Sequence, residues 1–318
     1  MVAWVHTATP TTPPCPLDTA SGYPDQMPAT HLMTPAPNIA TLLALLGAGP
    51  WAVLTGAGLS TGSGIPAYRD RHGQWQHSKP IQHQEFLGSE AMRRRYWARS
   101  FVGWQTMSRA QPNAGHRAIA QLEARGLVST VITQNVDSLH HHAGSQSVIE
   151  LHGSIARVLC LSCQQRYPRA QVQVLLQAHN PQFEHTPGAP SQAAPDGDAH
   201  LEDQHYAAFQ VPACPACQGV LKPDVVFFGD NVPRDRVAAA SQAVENASAL
   251  LVVGSSLSVY SGFRFAEQAH RLGKPVLAIN QGATRADALL SAKLELDCSE
   301  ALTQLLSACL DAGQATGP

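Results

Sequence analysis

The chain has 318 residues, 44% of them hydrophobic, enough for one large domain or a domain with a smaller appendage. With 21 basic and 23 acidic residues its formal charge is -2, which argues against an electrostatically driven nucleic-acid binder. Its seven cysteines include two C-x-x-C pairs, a pattern of metal or redox chemistry rather than of a secreted disulfide framework.

The first 37 residues hold eight prolines among Thr, Ser and Ala without periodicity, and a disordered leader is expected there. No lysine or arginine precedes Arg69, which speaks against a secretory n-region and an Arg-rich transit peptide; a cytoplasmic protein is expected. The apolar run "TLLALLGAGPWAVL" is broken by Gly47, Gly49 and Pro50. A membrane span needs about 20 apolar residues, so a short helix and a buried strand over 51–55 are expected instead. Directly after that strand, Gly56, Gly58, Gly62 and Gly64 fall within nine residues. Such a cluster suggests close approach of the backbone to a guest, and a phosphate is the usual one.

Further β-type runs follow at 128–133, 148–151, 249–253, 275–280 and 294–296, with helical patterns starting at His116, Arg234 and Phe263 between several of them. The alternation predicts an α/β fold with a Rossmann-like parallel sheet covered on both faces, built from residues 38–155 and 223–310. Residues 156–222 interrupt it as a small insert, and 311–318 are expected to be a flexible tail. Ligands of such sheets bind at the carboxyl ends of strands. The Gly56 cluster, Gln134-Asn135, Gly254-Ser255 and Asn280 all follow predicted strands, so a dinucleotide crevice is expected where they converge.

Cys160, Cys163, Cys214 and Cys217 supply four thiolates, enough to close a tetrahedral zinc site. A thioredoxin-like pair needs only one C-x-x-C. Two pairs bounding a poorly packed insert favour one structural zinc. Cys298, just past the last strand, either lines the crevice or is a buried core thiol. The motif "TQNVDSLHHHAG" begins at Thr133 and "ELHGS" at Glu150. They bring Gln134, Asn135 and Asp137 to a strand end, with His152 as a candidate general base. On these residues alone, helix capping by Asn135 and Asp137 and a satisfied buried ring at His152 remain open.

Taken together and in order, GAGLSTGSGIPAYR, QNVDSLH, ELHG, the two C-x-x-C pairs, LKPDVVFFGD and GSSLSVYS resemble the sirtuins, NAD-dependent protein lysine deacylases. The resemblance spans residues 38–310 and points to the class II branch with bacterial members. It implies that Gly56, Ala57 and Gly58 meet the NAD pyrophosphate. Ile65, Pro66, Tyr68 and Arg69 would form a flap, with Ile65 and Asp137 on the nicotinamide carboxamide. Gln134 and Asn135 would border the ribose. Gly254, Ser255, Ser256, Asn280, Gln281, Gly282 and Cys298 would hold the adenosine half.

The implied reaction transfers the acyl group of an acylated lysine to ADP-ribose as nicotinamide leaves, with His152 as base and Asn135 positioning ribose and water. The substrate backbone would pair between Phe228-Gly229 and Val259-Tyr260, an added strand. Tyr96 and Arg99 match a pair that grips acidic acyl groups in one branch, although the arginine-rich helix reads equally as a solvated face. Ala67 departs from the family's usual Asp. Mono-ADP-ribosyl transfer and a silent NAD-sensing module are the alternatives. No nucleic-acid or membrane partner is expected, and the chain is expected to act as a monomer.

Overall fold

Asn38 opens the first helix by accepting from Thr41 N at 3.0 Å, and Gly47, at φ 65°, closes it. In this computed structural model, residues 37–68, 74, 80–183, 195–197 and 206–315 are described. The expected leader up to residue 36, Arg69, and residues 316–318 lie outside the described residues. In chain order the elements are α1 (Ile39–Leu46), β1 (Trp51–Thr55), α2 (Ala57–Ser60), α3 (His83–Gly88), α4 (Glu90–Met107) and α5 (Ala114–Ala124). Next come β2 (Val128–Thr133), α6 (Leu139–His142), β3 (Val148–Glu150), β4 (Gly153–Cys160), β5 (Arg166–Pro168) and α7 (Arg169–His179). The chain continues through β6 (Leu221–Val225), α8 (Arg234–Asn246), β7 (Leu250–Val253), α9 (Tyr260–Arg271), β8 (Val276–Ile279), β9 (Ala292–Leu294) and α10 (Cys298–Ala315).

Six strands form a parallel sheet in the order β3-β2-β1-β7-β8-β9. Counted within the sheet this is 3-2-1-4-5-6, and the order reverses between β1 and β7. The central strands read as unbroken apolar runs because both faces are covered. Along β7, Leu251 and Val253 face a cluster with Leu42, Ile119 and Leu302, while Leu250 and Val252 face Val244, Phe265 and Ala266. Alternate side chains of one strand thus feed two cores, as a pleat requires.

The second, smaller sheet is antiparallel, in the order β5-β4-β6. Pro223 lies in β6, an edge strand, where a missing N–H costs no ladder bond. The core of this lobe is not made by the insert alone. Phe86, Tyr96, Trp97 and Phe101 of α3 and α4 share one cluster with Val158, Val172, Leu176 and Leu221. The polypeptide from about 80 to 107, assigned to the larger domain by its position in the sequence, therefore packs with the small lobe. Helix α10 also continues to Ala315, five residues into the stretch expected to be a tail. Among the described residues no helix is long and apolar enough to cross a membrane.

Candidate active site and metal centre

At the reversal point, the loops after β1 and β7 meet. Gly56 and Gly58 suit this contact for a local steric reason. A Cβ on Gly56 would lie 2.7 Å from Ser255 Cβ, and one on Gly58 would lie 2.9 Å from the Gly254 backbone. What demands glycine here is loop against loop, in addition to any ligand above.

Over this joint opens a cavity of about 760 Å³, within the ordinary range of ligand sites. Gly56, Ala57, Gly58, Gly254, Ser255 and Ser256 line its floor, with Asn280, Gln281 and Cys298 beside them. Ile65, Pro66, Ala67 and Tyr68 form one wall, and Gln134, Asn135, Asp137 and His152 another. Phe228, Gly229, Val259 and Tyr260 stand at its rim. Gly282 is not among the lining residues; its carbonyl accepts from Asn280 Nδ2 at 3.1 Å and so shapes the Asn280 loop. Cys298 fulfils both open readings: it packs into the core and lines the cavity. Burial, followed by the Asp297 charge, pushes its thiol up to about 12, so it stays protonated.

The strand-end polar groups are tied to one another. Asn135 Nδ2 donates to Gly56 O at 3.1 Å and to Ser60 Oγ at 3.0 Å. Ser60 Oγ in turn donates to Asp137 Oδ2 at 2.6 Å. Burial pushes the Asp137 carboxyl above its ordinary range, and the bonds from Ser60 and Leu139 N pull it back. Gln134 Nε2 donates to Ser255 Oγ at 2.8 Å, which fastens the end of β2 to the loop after β7. Helix capping is therefore only part of what Asp137 does.

His152 follows β3, and both of its ring nitrogens are engaged. Nδ1 lies 2.9 Å from Gln134 O, and Nε2 lies 2.9 Å from Ser261 Oγ. A carbonyl oxygen can only accept, so the Nδ1 of a neutral ring carries the hydrogen and Nε2 offers its lone pair. Burial, assisted by the Arg236 charge, lowers the pKa of His152 against the upward pull of Gln134. The ring is thus neutral near pH 7, with an unprotonated Nε2 that accepts from Ser261 at the cavity wall, the state a general base requires.

Two expected residues stand elsewhere. Tyr96 and Arg99 do not line the cavity. They are buried on α4, where Tyr96 packs edge-on against Phe86 at 5.5 Å and Phe227 at 5.3 Å. The arginine-rich stretch is neither a solvated face nor a cavity wall at these two positions: Tyr96 joins the small lobe's core, and Arg99 is buried beside it on the same helix. Ser60, Phe227, Ser261, Arg264 and Asp196 line the cavity and were not anticipated. Ser60 and Ser261 lay inside motifs already singled out, a usable signal, whereas nothing in the insert's composition marks Asp196.

The four cysteines come together on two matching knuckles. Gln164 N donates to Cys160 O at 3.0 Å, and Gln218 N donates to Cys214 O at 2.9 Å. Gln164 and Gln218, each just after the second cysteine of its pair, share a φ near 60°. All four sulfurs lie within 4.8 Å of one another, with Cys160 to Cys217 at 3.5 Å and Cys163 to Cys214 at 3.8 Å. Zinc–sulfur bonds of about 2.3 Å in a tetrahedron give sulfur separations of about 3.8 Å, so the residues fit that ion and are too far apart for disulfides. Four thiolates fill its coordination, which makes the centre structural.

The family model described as the Sir2 family matches residues 56–261. A protein of Xanthomonas campestris pv. campestris (strain 8004) named NAD-dependent protein deacetylase is 55% identical over 253 residues, covering 80% of this chain and 85% of its own length. Another of that name, from Bordetella bronchiseptica, is 52% identical over 255 residues, covering 80% and 92%. A solved Sir2 complex with a p53 peptide and NAD+ superposes with a TM-score of 0.69 at 30% identity, covering 86% of this chain and 100% of the other. The chain belongs to the Sir2 family.

Proposed function

We propose that this chain is an NAD-dependent protein lysine deacylase, acting in the cytoplasm as a monomer. The observation that carries the reading is the neutral His152, its Nε2 lone pair turned into a cavity floored by the β1 and β7 loops. Relatives above half identity named for the same activity support it.

In this reading bound NAD would supply an electrophilic ribose carbon with nicotinamide as its leaving group, and a hydroxyl acceptor for the acyl group. The chain's own residues do the following. Gly56, Ala57 and Gly58 present main chain rather than side chains to the pyrophosphate. Ser255, Ser256, Asn280 and Gln281 border the adenosine half, with Gly282 supporting that loop. Ile65 and Asp137 would face the nicotinamide carboxamide, where burial holds the Asp137 carboxyl above its ordinary range. Pro66 and Tyr68 cover that end; Tyr68 leans edge-on against Phe228 at 6.0 Å. Asn135 is held by Gly56 O and Ser60 and orients a ribose hydroxyl or water. His152 takes the proton that makes that hydroxyl nucleophilic. Gly229 and the exposed Val259 and Tyr260 receive the peptide backbone as an added strand. Cys160, Cys163, Cys214 and Cys217 would hold one zinc, which keeps the small lobe folded.

An acyl-lysine peptide incubated with the protein, with and without NAD, tests the reading by mass spectrometry. Free lysine, nicotinamide and O-acyl-ADP-ribose in equal amounts are expected only with NAD. Transfer of ADP-ribose onto protein without deacylation would overturn it.

A further inference from the structure

Ser261 covers the one atom through which His152 can act. With Nδ1 committed to Gln134 O, only Nε2 is open to accept a proton, and Ser261 Oγ lies on it at 2.9 Å. A substrate hydroxyl must therefore either push Ser261 aside or pass its proton through it.

The backbone of Ser261 resists displacement. It belongs to the first turn of α9, where Gly262 N and Phe263 N both bond to Val259 O at 3.2 Å. Gly262, its neighbour, lies so close to the side-chain amide of Gln134 that a Cβ would overlap it. The turn is thus wedged against the same residue whose carbonyl holds the imidazole. Meanwhile Ser261 lines the cavity, and a hydroxyl can accept one hydrogen bond while donating another.

We propose that Ser261 relays the substrate's proton to His152, an inference that rests on the deacylase reading above. The substrate hydroxyl gives its proton to Ser261 Oγ as the Ser261 hydroxyl proton passes to Nε2. One O–H bond is lost on the substrate and one N–H bond gained on the imidazole, and Ser261 ends as it began. Placed directly after Val259 and Tyr260, the relay also sits one residue beyond the rim where a peptide strand would bind.

The test uses Ser261→Ala and Ser261→Thr in the full chain. In the ligand-free protein, ring-nitrogen NMR of His152 should show Nε2 as a hydrogen-bonded acceptor. Its resonance should move toward that of a free nitrogen in Ser261→Ala, with the Nδ1–H signal unchanged. With NAD and an acyl-lysine peptide, Ser261→Ala should lower kcat about tenfold, the order expected for one hydrogen bond in a proton-transfer path. The KM for NAD and the rate of nicotinamide exchange, which precedes the base, should hold. Ser261→Thr, which keeps the hydroxyl, should restore turnover. An active wild type beside a Ser261→Ala variant of equal or higher kcat overturns the relay alone. A wild type inert toward every acyl peptide overturns the deacylase reading and the relay with it.

Discussion

Gly58 and Gly254 touch main chain to main chain: Gly58 N donates to Gly254 O at 2.8 Å, and no Cβ fits on either residue. This contact joins the two strands between which the sheet reverses its order. Gly58→Ala should force the loops apart, with the cost of about 1–3 kcal/mol usual for overpacking. NAD binding should weaken together with the melting temperature. Gly126→Ala is the control: its Cβ would meet nothing within 4 Å, so only backbone strain at φ +74° is at stake. Calorimetric NAD binding on both variants checks the difference, and equal binding would place the steric demand elsewhere.

His152→Ala should bind NAD almost as wild type does, yet lose at least ~10²-fold in product formation, as removal of a general base does. The acid limb of kcat should lie below pH 6.5, because burial and the Arg236 charge both hold the pKa of the ring down. Replacing Arg236 with Gln removes a repelling cation, favours the imidazolium and should move that limb to higher pH. A pH–rate profile of the two proteins decides it; an unmoved limb would assign the ionisation to another group.

His116 and His140 make a second, structural use of burial. Their rings lie 4.9 Å apart inside the fold. Burial, followed by the Arg117 charge, lowers His116 from 6.5 to about 4, and burial holds His140 well below its ordinary value. The unfolded chain takes up protons below pH 6.5 that the folded chain refuses, so stability is full above pH 6.5 and falls as the pH drops toward 4. The slope is about 1.4 kcal/mol per pH unit for each histidine. Melting temperatures between pH 7.5 and 5 should show the decline, and His140→Gln should flatten it. An unchanged slope in that variant would rule out His140 as its source.

Metal analysis of purified protein should find about one zinc per chain, as a single four-thiolate site requires. Cys160→Ser should lower solubility and expose the small lobe to proteolysis before the large sheet, since metal binding there is folding free energy. A metal-free preparation with unchanged melting behaviour would overturn this.

Much of the large sheet was legible because its central strands are short apolar runs closed by glycine or polar residues. β1 and β2 fall where the pattern puts them, at 51–55 and 128–133. The last strand is shifted to Ala292–Leu294, where the central Lys293 is charged and reaches Asp287 and Glu295, so no apolar run marks it. The small lobe was less legible. Helix α4 buries Tyr96, Trp97, Ala98 and Arg99 consecutively, so its burial shows no helical period and its partners are set by tertiary packing. In the site, the strand-end residues announced themselves by position. Ser261 was marked by its motif alone, since a serine in the first turn of a helix ordinarily needs no partner beyond the solvent.

Strand β4 begins at Gly153, the residue after His152, and ends on Cys160. Val226 N also holds His152 O, at 2.8 Å, so the ladder with β6 extends to the base itself. Over about 25 Å of extended chain, the sulfur cluster and the imidazole are the two moorings of one rope. A chelator too large for the cavity would still reach the chemistry, by letting go of the far end. Inhibition of that kind would not be relieved by more NAD or more peptide, and would be reversed by returning the metal.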